Sequence, residues 1–181
     1  GSPRTTRTQE GLALFAELIT TSIDVARLRR IALRVKAVQL GIDGANFLDI
    51  FKVFLDSGQN EQESYQSAMR VFRGGDVAGR IVCTKDVVYL GGLIFIHTFL
   101  RKAISQGKIF FPHYLFAGRL SLGDVVALEE FFESGYIALP QYEPKWIVDR
   151  PSLVAFLVYS AFADRINLST IQLGDFSSRD L

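Results

Sequence analysis

The sequence predicts a mostly α protein, a single helical domain packed round one central buried helix. Three observations carry this. Apolar residues recur at helical spacing through most of the chain. One stretch, VVYLGGLIFIHTFL at 87–100, is apolar on every side, as a central helix is. Apolar residues make up 49% of the composition and charged residues 22%, enough to bury a core. A chain of 181 residues suits one domain, taken as 1–181, with 165–181 as a terminal arm. Fifteen Phe against one Trp and one Met forecast an aromatic-rich interior.

The elements follow in order. Residues 10–20 place Leu12, Phe15, Ala16 and Ile19 on one side of a helix, with Glu10 in its first turn, where an acid meets the helix dipole. Residues 24–40 carry two apolar stripes. Val25, Leu28, Ala32 and Val35 form one; Ala26, Leu33, Ala37 and Leu40 form the other. Two stripes predict more than one packing neighbour. Arg27, Arg30 and Arg34 fall outside both and must reach solvent, an acidic partner or a cleft. Gly41 and Gly44 break the chain before a helix at 45–55, whose buried side is Phe47, Ile50, Phe51 and Phe54. After the turn DSGQNEQES, Tyr65, Ala68, Met69 and Phe72 continue a helix until RGGDVAG stops it. Thr84 is placed to cap the next helix, with Asp86 in its first turn. Within that helix Gly91-Gly92 lets a neighbour approach closely. The stretch KIFFPHYLFAGRL reads equally as extended chain or short helix. Residues 121–133 form a helix ended by Gly135, and YIALPQYEPKW is irregular. Pro151 opens a last helix through Ala163, and INLSTIQLGDFSSRDL reads as an arm or an edge strand.

Several function classes are excluded. A net charge of +1 gives no global pull towards nucleic acid or an anionic membrane, so neither is expected as a partner. The apolar run at 87–100 is short for a membrane span, and the first residues lack a signal-peptide pattern. The single Cys83 excludes an intrachain disulfide and a Cys-rich zinc module, and fits a cytoplasmic setting. His97 and His113 have no His or Cys partner at metal spacing. No Gly-x-Ser-x-Gly is present. GGDVAGRI imitates a phosphate loop, but Arg80 and Ile81 stand where Lys and Ser/Thr are required and a helix precedes it.

Round that turn lie Arg70, Arg73, Arg80 and Lys85, close to a helix start. They can hold a carboxylate, or they can pair with acids such as Asp76 and Asp86 and merely fix the turn. Tyr89, one helical turn beyond Lys85, either stabilises an anion or is a core tyrosine with a satisfied hydroxyl.

Three separated stretches bear on these alternatives: TQEGLALFAE at 8–17, RVFRGG at 70–75 and TKDVVYLGGL at 84–93, with RLRRIALRVKAV between the first two. In this order they resemble the QEGLA-motif family, the bacterial flavohemoglobin expression-modulating proteins, whose animal relatives are the microtubule-associated tyrosine carboxypeptidases. The resemblance runs over nearly the whole chain. It implies a mostly helical zinc peptidase-like fold, with His-Glu-x-x-x-His on a helix and a third zinc ligand from the QEGLA glutamate. That glutamate matches Glu10. The His-Glu-x-x-x-His segment is absent here, so the chain reads as the C-terminal part of a longer protein. The resemblance implies zinc in the full-length parent, a peptide or protein C-terminus as substrate, and a fragment that binds no metal and is inactive alone. On charge and placement, Arg70, Arg73 and Lys85 are the candidate substrate-binding residues and Tyr89 a candidate catalytic one. The rival class is a noncatalytic helical interaction or regulatory module.

Overall fold

The structure is a computed structural model, and it describes residues 3–170. Among the described residues it contains helices and no strand. In chain order these are α1 (Pro3–Ile19), α2 (Val25–Ile42), α3 (Phe47–Asp56), α4 (Glu61–Val71), α5 (Val87–Ser105), α6 (Phe111–Tyr114), α7 (Leu122–Ala127), α8 (Glu129–Glu133), α9 (Lys145–Val148) and α10 (Arg150–Ala163). A 3-10 turn at Thr84–Asp86 leads into α5. The proposed arm lies largely outside the described residues.

Local sequence explains most helix starts. Asp24 accepts a hydrogen bond from the Arg27 amide and so caps α2. Asn46 with Asp49, and Ser121 with Asp124, form reciprocal capping boxes for α3 and α7. Pro151 sits in the first turn of α10. Gly135, at φ +74°, follows α8 in a conformation that glycine adopts without strain.

The interior has two apolar centres. The larger contains Leu14, Phe15, Ile96, Leu100, Val125, Ile147 and Leu157. Phe15 is fully buried and meets Trp146 edge-on at 5.4 Å, with Phe156 at 6.2 Å. Such aromatic pairs add about 0.5–1.5 kcal/mol each beyond area burial. The smaller centre is Ala37, Val38, Ile50, Phe54, Ala68, Val71 and Phe72, between α2, α3 and α4. Helix α5 is the hub, with α1, α2, α6 and α10 all packed on it. Its crossing with α1 is glycine on glycine. A Cβ on Gly11 would sit 2.5 Å from the Gly92 carbonyl carbon, and one on Gly92 would sit 2.5 Å from the Arg7 carbonyl oxygen. The glycine of the QEGLA segment therefore brings two backbones into direct contact. The segment 84–105 is long and apolar enough to cross a membrane by length and composition. Here it serves as the surface on which the other helices pack.

Several expectations are corrected. Helix α1 begins at Pro3, so Glu10 lies mid-helix and not in a first turn. On α2 the second stripe holds, with Leu33, Ala37 and Leu40 at the smaller centre, but none of the first stripe enters either centre. Ile31 enters the larger centre and Ala37 and Val38 the smaller, while Val25 is 80% exposed. Gly41 does not break that helix. It is buried within it, and a Cβ there would meet Val82 at 2.8 Å. Thr84 makes no capping bond; the turn it opens follows Cys83 without a side-chain cap. Helix α5 is central, yet Ile94 and Phe95 are exposed on its outer face. Tyr65 and Met69 are about half exposed, and Ser64, Ala68 and Val71 make the buried side of α4. The helix expected at 121–133 divides at Leu128 into α7 and α8. The ambiguous stretch after Gly107 resolves as the short helix α6.

Candidate active site

The candidate site lies at the seam between the two centres. Helix α5 makes that seam: Val87 packs on the smaller centre and Tyr89, two residues on, packs on the larger. Helix α1 brings Glu10 to this point, α4 brings Arg70, and α2 brings Arg34.

Arg70 and Asp86 form a two-pronged ion pair. Arg70 Nε donates to Asp86 Oδ2 at 2.8 Å and Nη2 donates to Oδ1 at 2.9 Å. Asp86 is buried at 7% exposure, so this pair holds a carboxylate that would otherwise lack compensation. Two of the five guanidinium N–H donors, on Nε and Nη2, are committed to Asp86, and Arg70 also hydrogen-bonds Tyr89. Hydrogen bonding to Asp86 raises the Arg70 pKa still further above its already high ordinary value.

Tyr89 stands beside Glu10, Asp86 and Arg70. Burial raises its phenol pKa, the negative charges of Glu10 and Asp86 push the same way, and Arg70 opposes them. The phenol therefore stays protonated through the physiological range, with its hydroxyl hydrogen-bonded to Glu10. Arg34 is the fourth member. Burial is the main cause lowering its pKa, followed by the like charge of Arg70, with Asp86 acting in the other direction. Two turns further along α1, Glu17 takes a bidentate bond from Arg27, which includes Arg27 Nη2 to Glu17 Oε1 at 2.7 Å. The hydrogen bond from Arg27 is the main cause holding the Glu17 carboxyl below its ordinary range.

The sequence-derived candidates divide at this point. Glu10, Arg70 and Tyr89 come together. Arg73 is exposed and turns to Cys83, with Nη2 3.8 Å from Sγ. Lys85 is exposed on the 3-10 turn. The basic cluster thus does not converge as a unit, because Asp86 draws Arg70 inward and leaves the other cations on the surface. The role of Arg34 was missed by sequence reading, although its place on the basic ridge of α2 was the available signal. The turn at 72–83 is anchored by its backbone: Arg80 N–H donates to Gly41 O at 2.7 Å and Cys83 N–H to Val71 O at 2.7 Å.

These groups can receive an anion. A guanidinium fixed by a buried carboxylate and a second, half-buried guanidinium flank a neutral phenol, which in turn meets Glu10 on α1. They do not amount to a zinc site. Among the described residues no three of His, Cys, Asp and Glu are grouped to hold a metal. His97 is bound instead to Ser160, Nε2 to Oγ 2.9 Å. His113 lies between Glu143 and Arg150, with Nδ1 2.7 Å from Glu143 Oε1 and Nε2 accepting from Arg150 Nε at 3.0 Å.

No curated protein and no solved structure matches the chain. The family profile described as microtubule-associated tyrosine carboxypeptidase matches residues 1–165, one of the groups reached through the QEGLA, RVFRGG and TKDVVYLGGL segments. With Glu10, Arg70 and Tyr89 all inside that span, the chain belongs to the microtubule-associated tyrosine carboxypeptidase family.

Proposed function

We propose that this chain supplies one wall of a zinc-dependent carboxypeptidase site and hydrolyses nothing by itself. In this reading Glu10 is the third metal ligand, and two histidines and a general-base glutamate come from a His-Glu-x-x-x-His helix of the full-length parent. Arg70 receives the terminal carboxylate of a peptide or protein substrate. Tyr89 donates a hydrogen bond to the reacting end, and Arg73 and Lys85 lie further out on the approach. The observation that supports the reading most is the meeting of Glu10, Arg70 and Tyr89 at one seam from three separate segments. A carboxylate recognised by a charged donor gains on the order of 1.5–3 kcal/mol per hydrogen bond, enough to favour a chain end over an internal bond.

One observation favours a second reading. The Arg70–Asp86 pair is also what a noncatalytic helical module would use to tie α4 to the start of α5. The experiment that separates them uses the full-length protein with its His-Glu-x-x-x-His helix. A peptide with a free C-terminal carboxylate is turned over and its amidated counterpart is not, and Tyr89→Phe lowers turnover without lowering the melting temperature. Equal turnover of the two peptides, or none of either by a protein loaded with zinc, would remove the carboxypeptidase reading.

A further inference from the structure

A second feature lies on the other side of Arg70. Helices α2, α3 and α4 enclose a cleft of about 880 Å³. Arg29, Arg30, Arg34 and Lys36 line it from α2, and Arg70 from α4. Asp56 and Glu63 share its walls, but among the described residues no carboxylate lies within 4 Å of the four α2 cations. The facing wall offers neutral donors. Ser67 Oγ donates to Gln59 Oε1 at 3.0 Å, which leaves the Gln59 amide N–H groups for a ligand. Surface arginines ordinarily spread out or pair. Here they converge, and Arg34 is held where burial and Arg70 both work against its charge.

We propose that this cleft is a binding site for a compact, phosphate-bearing polyanion. The four α2 cations lie within about 10 Å along the helix axis, at about 1.5 Å per residue. An extended acidic peptide turns alternate side chains to one face, about 7 Å apart, and so presents about two carboxylates over that length. A chain of linked phosphates presents a charge at every unit and suits the density better. Guanidinium groups bind phosphate in two-pronged fashion. No aromatic side chain lines the cleft, and its cationic groups make phosphate the main point of recognition. The inference requires neither Glu10 nor a metal; Arg34 and Arg70 are shared with the peptidase reading, so Arg30 and Lys36, which line the cleft alone, distinguish the two.

The test is a calorimetric titration of the 181-residue chain with inorganic tripolyphosphate. It should bind saturably with one equivalent, and more weakly as salt rises. Arg30→Gln and Arg34→Gln should each weaken binding about tenfold, the scale of one charge-assisted contact. Lys36→Gln should weaken it less, and Arg165→Gln and Glu10→Gln should leave it unchanged. Arg30 and Lys36 are exposed, so those variants keep the fold, which circular dichroism verifies. Absence of saturable binding at low salt overturns the proposal. So does binding that the Arg30 and Lys36 variants leave intact. Tighter binding of a hexaglutamate peptide than of tripolyphosphate would reassign the cleft to acidic peptides and overturn it as well. Loss of tripolyphosphate binding with intact peptidase activity in the parent, or the reverse, separates this inference from the proposed function.

Discussion

The adjacent glycines of α5 should respond in opposite directions to the same added methyl group. At Gly92 a Cβ would stand 2.5 Å from the Arg7 carbonyl oxygen and 2.9 Å from Gly11 Cα, both backbone atoms that no rotamer change can move. Ordinary contact begins near 3.4 Å, so α1 and α5 must part by nearly 1 Å. A gap of that size forfeits about a quarter to a half of the dispersion between facing atoms. It is imposed along the interface that buries Leu14, Phe15, Leu93 and Ile96. Overpacking of this kind costs about 1–3 kcal/mol, and helix propensity returns at most about 1 kcal/mol on replacing Gly by Ala. Gly92→Ala should therefore lose about 1–2 kcal/mol. At Gly91 the nearest atom is the end of the Arg7 side chain at 3.7 Å. Gly91→Ala should be neutral or gain up to about 1 kcal/mol from propensity. Urea denaturation followed by circular dichroism at 222 nm measures both, with Gly118→Ala as an unconstrained control because nothing lies within 4 Å of its Cβ position. Equal stability of the Gly91 and Gly92 variants would refute the close crossing.

Three further outcomes are expected. Arg70→Ala should destabilise the chain by about 2 kcal/mol, since buried Asp86 loses its charged donor; a double-mutant cycle with Asp86→Ala should return a coupling of about 1.5–3 kcal/mol, and a coupling near zero would show that the pair does not hold α4 to α5. His97 has its pKa lowered, by burial first and by Arg101 second, with Asp164 opposing. A lowered folded pKa means that its contribution is complete above the unfolded value and fades as pH drops below about 6.5 towards the folded one. Urea midpoints should thus decline from pH 7.5 to pH 5.5 in wild type and less steeply in His97→Gln; parallel profiles would exclude His97 as the source. Zinc titrated into this chain should bind weakly, because only Glu10 is offered as a ligand; one tight equivalent unchanged by Glu10→Ala would contradict that assignment.

The helices were legible where short-range chemistry decides them. Pro151 and Gly135 marked ends that the structure keeps, and the Phe47, Ile50 and Phe54 spacing found the inner face of α3. Position in the chain misled where distant partners decide. Val25 has an apolar side chain and helical spacing, but α2 begins there beyond the reach of either centre. Gly41 looked like a breaker and instead makes room for Val82, a contact 41 residues away in sequence. At the site, Glu10 and Tyr89 were found through motif and spacing, and Asp86 was named as a possible pairing acid. Which arginine would take Asp86 was not legible, since Arg70, Arg73 and Arg80 differ only in how α4 and its turn aim them. Arg34 escaped because its significance comes from the approach of α4 to α2, which no local pattern encodes.

The most direct test of the central claim is the zinc content of the full-length protein, wild type against Glu10→Gln, determined by atomic absorption on samples of equal circular dichroism. Gln keeps the shape of the side chain and removes its charge. If Glu10 is the third ligand, wild type should carry one zinc per chain, and the variant should bind it at least about tenfold more weakly and lose hydrolysis with it. A Glu10→Gln protein that retains a full equivalent of zinc at wild-type affinity would contradict the account and leave Glu10 as a helix-surface carboxylate beside Tyr89.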